Sequence, residues 1–113
     1  MVRPAQSKPA RGDVWLINLD PTIGSEIQKT RPCVVVSPPE INDHLPVMLV
    51  APLTSGSRAA PFRVSTTFDG KAGLMLLEQV RAVDARRLVR KVGQLDRLKL
   101  SAALAVLRSL FAE

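Results

Sequence analysis

A small, mostly-β domain closed by one C-terminal helix is the fold class this sequence predicts, and three observations predict it. Short runs rich in β-branched residues recur at close spacing from Asp13 onward. Turn-forming pairs (Asp20-Pro21, Pro38-Pro39, Asp69-Gly70) stand between those runs. Only behind Asp96 does the apolar pattern change to a helical period. Short strands at such spacing curl into a small barrel. The 113 residues make one domain. A chain of this length buries about two-thirds of its unfolded surface, enough for a core without staples.

Each element has its own signal. Residues 1–10 have two prolines and no period, and read as a flexible tail before a domain over residues 11–113. Asp13 to Leu19 (DVWLINL) is a strand stopped by Asp20-Pro21. Thr22 to Thr30 is polar, contains Gly24-Ser25, and reads as a loop of functional length. Cys33 to Ser37 is a continuous apolar run ended by Pro38-Pro39, the pattern of a strand buried on both faces. Val47 to Leu53 is another such run. Phe62, Val64, Thr66 and Phe68 alternate with Arg63, Ser65 and Thr67, so this strand presents one face to water. After the Asp69-Gly70 turn, Leu74 to Val83 holds one or two strands, and Leu88 to Val92 is a weaker candidate. Leu100, Leu104, Leu107 and Phe111 then fall on one helical face behind an Asp96 or Ser101 cap.

Composition narrows the function classes. Sixteen Lys and Arg stand against ten Asp and Glu, a formal net charge of +6. Seven of the basic residues lie between Arg81 and Lys99, the electrostatic footprint of a protein that meets phosphates. None of the aromatic residues falls in that run, so no interleaved stacking platform is visible there. The single cysteine, Cys33, excludes an internal disulfide and fits a reducing, cytoplasmic setting. The longest near-apolar stretch, Val47 to Leu53, is too short to span a bilayer and is interrupted by Pro52. Residues 1–12 carry Arg3, Lys8 and Arg11 with no apolar segment behind them, so a secretory signal is not expected. One histidine, His44, and one cysteine supply no metal-ligand spacing, so no metal or other cofactor is expected. Gly-rich phosphate loops and nucleophile elbows are absent as well. Cys33 reads as core and His44 as a surface loop residue.

A longer pattern is more specific. The run Arg11 to Ser37 (RGDVWLINLDPTIGSEIQKTRPCVVVS) resembles the N-terminal half of the MazF/PemK (Kid) family of toxin endoribonucleases. The likeness continues in Val50 to Ser55 (VAPLTS), in Glu78 to Arg81 (EQVR) and in the final helix. Several matching segments in order within one short chain outweigh any one of them. This resemblance implies an SH3-like barrel of the PemK/CcdB type with a C-terminal α-helix, working as a homodimer. It also implies the toxin of a type II toxin–antitoxin system, an mRNA interferase that cuts single-stranded RNA without a metal. The partner so implied is a MazE-like antitoxin whose acidic, flexible segment covers the RNA groove.

The resemblance assigns roles residue by residue. Arg31 falls at the family's catalytic arginine and Thr54 at its catalytic threonine. A guanidinium presents parallel donors to a phosphate but is a poor proton acceptor, so Arg31 suits charge stabilisation, with proton donation to the leaving oxygen as a second role. Thr54 offers a hydroxyl donor. Glu26 is the candidate base or base-orienting carboxylate, in a loop shaped by Gly24 and Ser25. Lys29, Ser55, Arg58, Arg81 and Arg86 are candidate RNA contacts, and Trp15 and Leu19 are core or dimer contacts. The Kid-like branch has a histidine where this chain has Ser25, and an Arg-x-Asp pair where it has Leu76 and Glu78. The chain therefore resembles the MazF-type branch, and a histidine-based proton transfer does not carry over. Two other functions share such a barrel: a toxin that poisons DNA gyrase, and a passive nucleic-acid-binding module. Retention of Arg31 and Thr54 favours the nuclease over both.

Overall fold

The computed structural model describes residues 8–113; the tail expected over residues 1–10 lies outside the described residues up to residue 7. Seven strands run in the order β1 (Asp13–Asn18), β2 (Thr30–Val35), β3 (Val47–Thr54), β4 (Arg63–Phe68), β5 (Lys71–Leu76), β6 (Arg81–Asp84) and β7 (Leu88–Gln94). A short helix α1 (Pro39–Asn42) follows β2, and α2 (Arg97–Leu110) ends the fold. All pairings are antiparallel, in the spatial order β4-β5-β3-β2-β1-β7, with β6 added to β3. The sheet curls into a half-barrel.

Strand β2 explains the curl. Its residues alternate between two cores: Cys33 and Val35 pack with Trp15, Ile17, Leu19, Met48 and Val50, whereas Val34 and Val36 pack with Val14, Leu53 and Met75. Residues of period 2 point to opposite faces, so a continuous apolar run requires cover on both. The first core lies on one face of β1, β2, β3 and β6. The second is covered by the β4–β5 hairpin and by α2, which inserts the fully buried Ala103 beside Leu104 and Leu107. Trp15 and Leu19 belong to the first core.

Local chemistry sets the element ends. Asp96 caps α2, its carboxylate accepting from Lys99 N at 2.9 Å, while Ser101 lies inside the helix. Asn42 on α1 is buried and exchanges hydrogen bonds with Ser37, Oγ to Oδ1 at 2.6 Å and Nδ2 to the Ser37 carbonyl at 2.7 Å. This closes the β2–β3 connection, a helical turn that the Pro38-Pro39 signal did not foretell. Strand β4 begins at Arg63, one residue later than the alternation predicts. Phe62 is exposed, with the Arg63 guanidinium over its ring at 5.5 Å from the centroid. The weak pattern over Leu88 to Val92 becomes a full strand because β1 pairs with it.

Burial pushes the Cys33 thiol up from 9.0 to about 12, against a smaller opposing pull from Arg81. The folded state therefore keeps a proton that the unfolded chain releases above pH 9.0, so this thiol's contribution to stability is complete below 9.0 and lost on the way to about 12. The wild type should lose more denaturation midpoint between about pH 8 and about pH 10.5 than Cys33→Ala does, measured by urea titration of Trp15 fluorescence. Equal losses would show that the thiol does not titrate differently in the two states.

Candidate active site

The curl leaves a groove of about 530 Å³ between two parts of the sheet. One wall comes from β7, β1 and β2 and carries Arg90, Val92, Leu16, Arg31 and Pro32. The β4–β5 hairpin supplies the other wall, with Thr66, Phe68, Lys71 and Gly73. The end of β3 places Thr54 and Ser55 in the same groove. Arg31 and Thr54 are thus brought together by the β2–β3 pairing, which aligns Cys33 with Pro52. Three cations (Arg31, Lys71, Arg90) and one carboxylate (Asp69) line the space.

The two central side chains are held with donors to spare. Arg31 Nε donates to the Gln28 carbonyl at 3.0 Å, and its terminal nitrogens have no protein partner among the described residues. Thr54 Oγ1 accepts from Gly56 N at 3.2 Å, which leaves its own hydroxyl hydrogen available. Neither geometry consumes the donor that an anion in the groove would need. Among the described residues no group of three or more His, Cys, Asp and Glu could hold a metal ion.

The first loop borders this arrangement without lining the groove. Glu26 Oε1 accepts from Ile23 N at 2.7 Å, and Glu26 N donates to the Ile23 carbonyl, so the carboxylate closes its own turn. Gly24 has φ +60°, the left-handed conformation that glycine adopts without strain, and Ser25 is exposed beside it. The loop is anchored from outside: Gln79 Oε1 accepts from Ile27 N at 2.9 Å, and Asp20 Oδ1 accepts from Lys29 N at 2.9 Å. Lys29 is exposed and outside the groove lining.

The basic run of the sequence does not form one patch. Arg81 turns inward and donates to the Leu19 carbonyl at 3.1 Å. Arg86 pairs with Asp84 at 3.0 Å, and its hydrogen bond holds the Asp84 carboxyl below its usual range while the carboxylate raises Arg86. Arg87 donates to the Asn18 carbonyl at 3.2 Å and to that of Asp20. Lys91 lies 3.3 Å from the buried Asp13. Only Arg90 of these reaches the groove. Arg58 is exposed outside it, and the Arg63 guanidinium ties its carbonyl (2.8 Å) to Glu78 (Nε to Oε2, 2.9 Å). Glu78 is therefore engaged, and Leu76 is buried. Sequence reasoning missed Lys71 and the groove role of Arg90. Neither sits in a motif, and strand pairing alone brings them near Arg31.

Residues 10–111 match the model of the PemK-like, MazF-like toxins of type II toxin–antitoxin systems. The chain belongs to that family. It is 38% identical over 86 residues to the endoribonuclease PemK of Escherichia coli, a match covering 72% of this chain and 65% of that protein. The MazF structure from Deinococcus radiodurans superposes with a TM-score of 0.83 at 28% identity, covering 93% of this chain and 97% of that one. A MazE–MazF structure from the same organism superposes at 0.74 with 25% identity, again over 93% and 97% of the two chains. The PemK/MazF barrel with its terminal helix is the fold expected from the sequence.

The Arg63 bridge makes a local prediction. Arg63→Ala should free the segment from Ser55 to Phe62, and trypsin should cut after Arg58 several-fold faster than in the wild type. An unchanged rate at that bond would mean that the loop is held by other contacts.

Proposed function

We propose that this PemK/MazF-family chain is a toxin endoribonuclease that cleaves single-stranded messenger RNA without a metal. The observation that carries the proposal is the meeting of Arg31 and Thr54 in one cationic groove, each with an uncommitted donor. Family membership and the endoribonuclease relatives support it.

The proposed chemistry uses these two groups. The 2′-oxygen attacks the adjacent phosphorus, the bond to the 5′-oxygen breaks, and the 2′-OH proton passes to solvent water while another proton reaches the leaving oxygen. Charge accumulates on the phosphoryl oxygens, and fixed donors that need no reorganisation stabilise it best. Arg31 supplies two terminal nitrogens in a planar fork. Thr54 adds a neutral donor from β3. Arg31 also serves the leaving oxygen as proton donor. Glu26 acts from the loop, by ordering the turn that Arg31 reaches through Gln28. Products end in a 2′,3′-cyclic phosphate and a 5′-hydroxyl.

The partner and assembly are part of the same proposal. A +6 chain attracts an acidic segment, and the structural likeness to a MazF bound to MazE supports a MazE-like antitoxin that competes with RNA. Exposed Leu98 on α2, Phe111 just after it and Val89 on β7 support a homodimer that covers apolar surface. Among the described residues no helix is long and apolar enough to cross a membrane. Messenger RNA as substrate places the toxin in the cytoplasm. Sedimentation equilibrium at about micromolar concentration should report about twice the 12.3 kDa chain mass; a single-chain mass would remove the dimer.

Arg31→Ala should lower the cleavage rate about a hundredfold or more in excess chelator, with a much smaller loss of RNA affinity. Arg31→Lys should rescue it only in part, and Thr54→Ala should cost less than Arg31→Ala. Replacing the scissile 2′-OH by hydrogen should abolish cutting and spare binding. Cleavage of the deoxy-substituted RNA, or an Arg31→Ala variant as fast as the wild type, would overturn the mechanism. Intact RNA with trapped gyrase–DNA complexes would replace the nuclease by a gyrase poison.

A further inference from the structure

Beyond Arg31 and Thr54, the groove holds a second set of residues that the cleavage step does not use. Arg90 and Lys71 stand on its opposite walls, both exposed, and neither has a hydrogen bond or ion pair among the described residues. The other basic residues of β6, β7 and the turn between them offer a contrast, since Arg81, Arg86, Arg87 and Lys91 all have a carboxylate or carbonyl partner. Two cations kept apart from the protein's own acceptors are positioned for an external anion.

Between them lies an apolar floor. Strand pairing sets Arg90 opposite Leu16 and Leu16 opposite Pro32, so one row of side chains crosses β7, β1 and β2. Val92 follows Arg90 on the same face, and the half-buried Phe68 comes down from the hairpin. Phe68 stops against β7 at Gly93: a Cβ built there would lie 2.9 Å from the ring. Only a residue without a side chain lets the ring approach so closely. The hairpin and β7 therefore meet at Phe68, and the space from there to Thr54 is bounded.

We infer that this space is a nucleotide subsite beside the scissile phosphate, with Arg90 and Lys71 on the backbone phosphates and the base on Phe68, Leu16 and Val92. The inference rests on the single-strand RNA reading above and extends it to what holds the flanking nucleotide. Phosphate contacts from Arg90 and Lys71 supply affinity without reading sequence. An aromatic ring in the floor takes a base by its face. Asp69, at φ +54° in the hairpin turn, is the one carboxylate of the lining and opposes those phosphate contacts. Removing its charge should therefore act in the opposite sense to removing theirs.

The test separates binding from cutting. A labelled single-stranded DNA oligonucleotide of mixed sequence lacks the attacking 2′-OH, and its affinity can be followed by anisotropy across a salt series. Arg90→Gln and Lys71→Gln should each flatten the slope of log K against log salt by about 0.7, the value for one phosphate contact on a single strand. Asp69→Asn should tighten binding, and Arg97→Gln, a change on the exposed start of α2, should leave the slope alone. Phe68→Leu should weaken binding about tenfold while Phe68→Tyr, which keeps the ring, restores it. On an RNA that the wild type cuts, Arg90→Gln and Lys71→Gln should raise KM with kcat unchanged. Unaltered slopes in both cation variants would overturn the subsite, as would a Phe68→Leu protein that binds like the wild type. A wild type that binds with these slopes but cuts no RNA would instead sink the nuclease reading and leave the subsite standing.

Discussion

Strand β2 has to be dry on both faces, and most of the architecture follows from that demand. Cys33 and Val35 cannot be covered by the same neighbours as Val34 and Val36, because successive residues point to opposite sides. One face closes on Trp15, Ile17 and Met48, and the other needs a second layer. That layer is the β4–β5 hairpin together with α2, whose Ala103 offers the smallest side chain at the closest approach. The groove is the seam where this layer meets β7 and β1. Thr54 and Arg31 reach it because they stand at the paired ends of β3 and β2, where the core residues give way to polar ones.

Most basic residues of β6, β7 and the turn between them meet carbonyls and carboxylates within the fold. Arg81 holds the Leu19 carbonyl, Arg87 those of Asn18 and Asp20, and Lys91 the buried Asp13. The Arg81 and Arg87 contacts fix the entrance to the first loop, which Gln79 and Asp20 grip from outside. Structural use of the arginines leaves a smaller set, Arg31, Lys71 and Arg90, facing the groove. Net charge measures attraction at a distance, whereas only this subset of it lines the groove.

Loops beside the groove are stiffened by side chains that never enter it. Glu26 closes its own turn, and Arg63 ties the Arg58 carbonyl to Glu78 across the β3–β4 connection. Each of these contacts holds loop backbone in place.

Much of this was legible in the chain itself. The apolar run at Cys33 to Ser37, the turn pairs and the period behind Asp96 specify strands, bends and a helix because they are local patterns acting on local geometry. Ordered segments from Arg11 to Arg81 carried the family and the pairing of Arg31 with Thr54. A linear count of charge misled, since Arg81 to Lys99 reads as one basic stretch but folds into partners facing several directions. Phe62 lies outside the strand that alternation assigned to it, with the Arg63 guanidinium over its ring. Sequence by itself determined most of the strands, the terminal helix and the family, and singled out Arg31 and Thr54. Tertiary structure alone decided which other cations share their groove, because Arg90 and Lys71 meet through pairings between strands distant in the chain, and no local pattern records such a meeting.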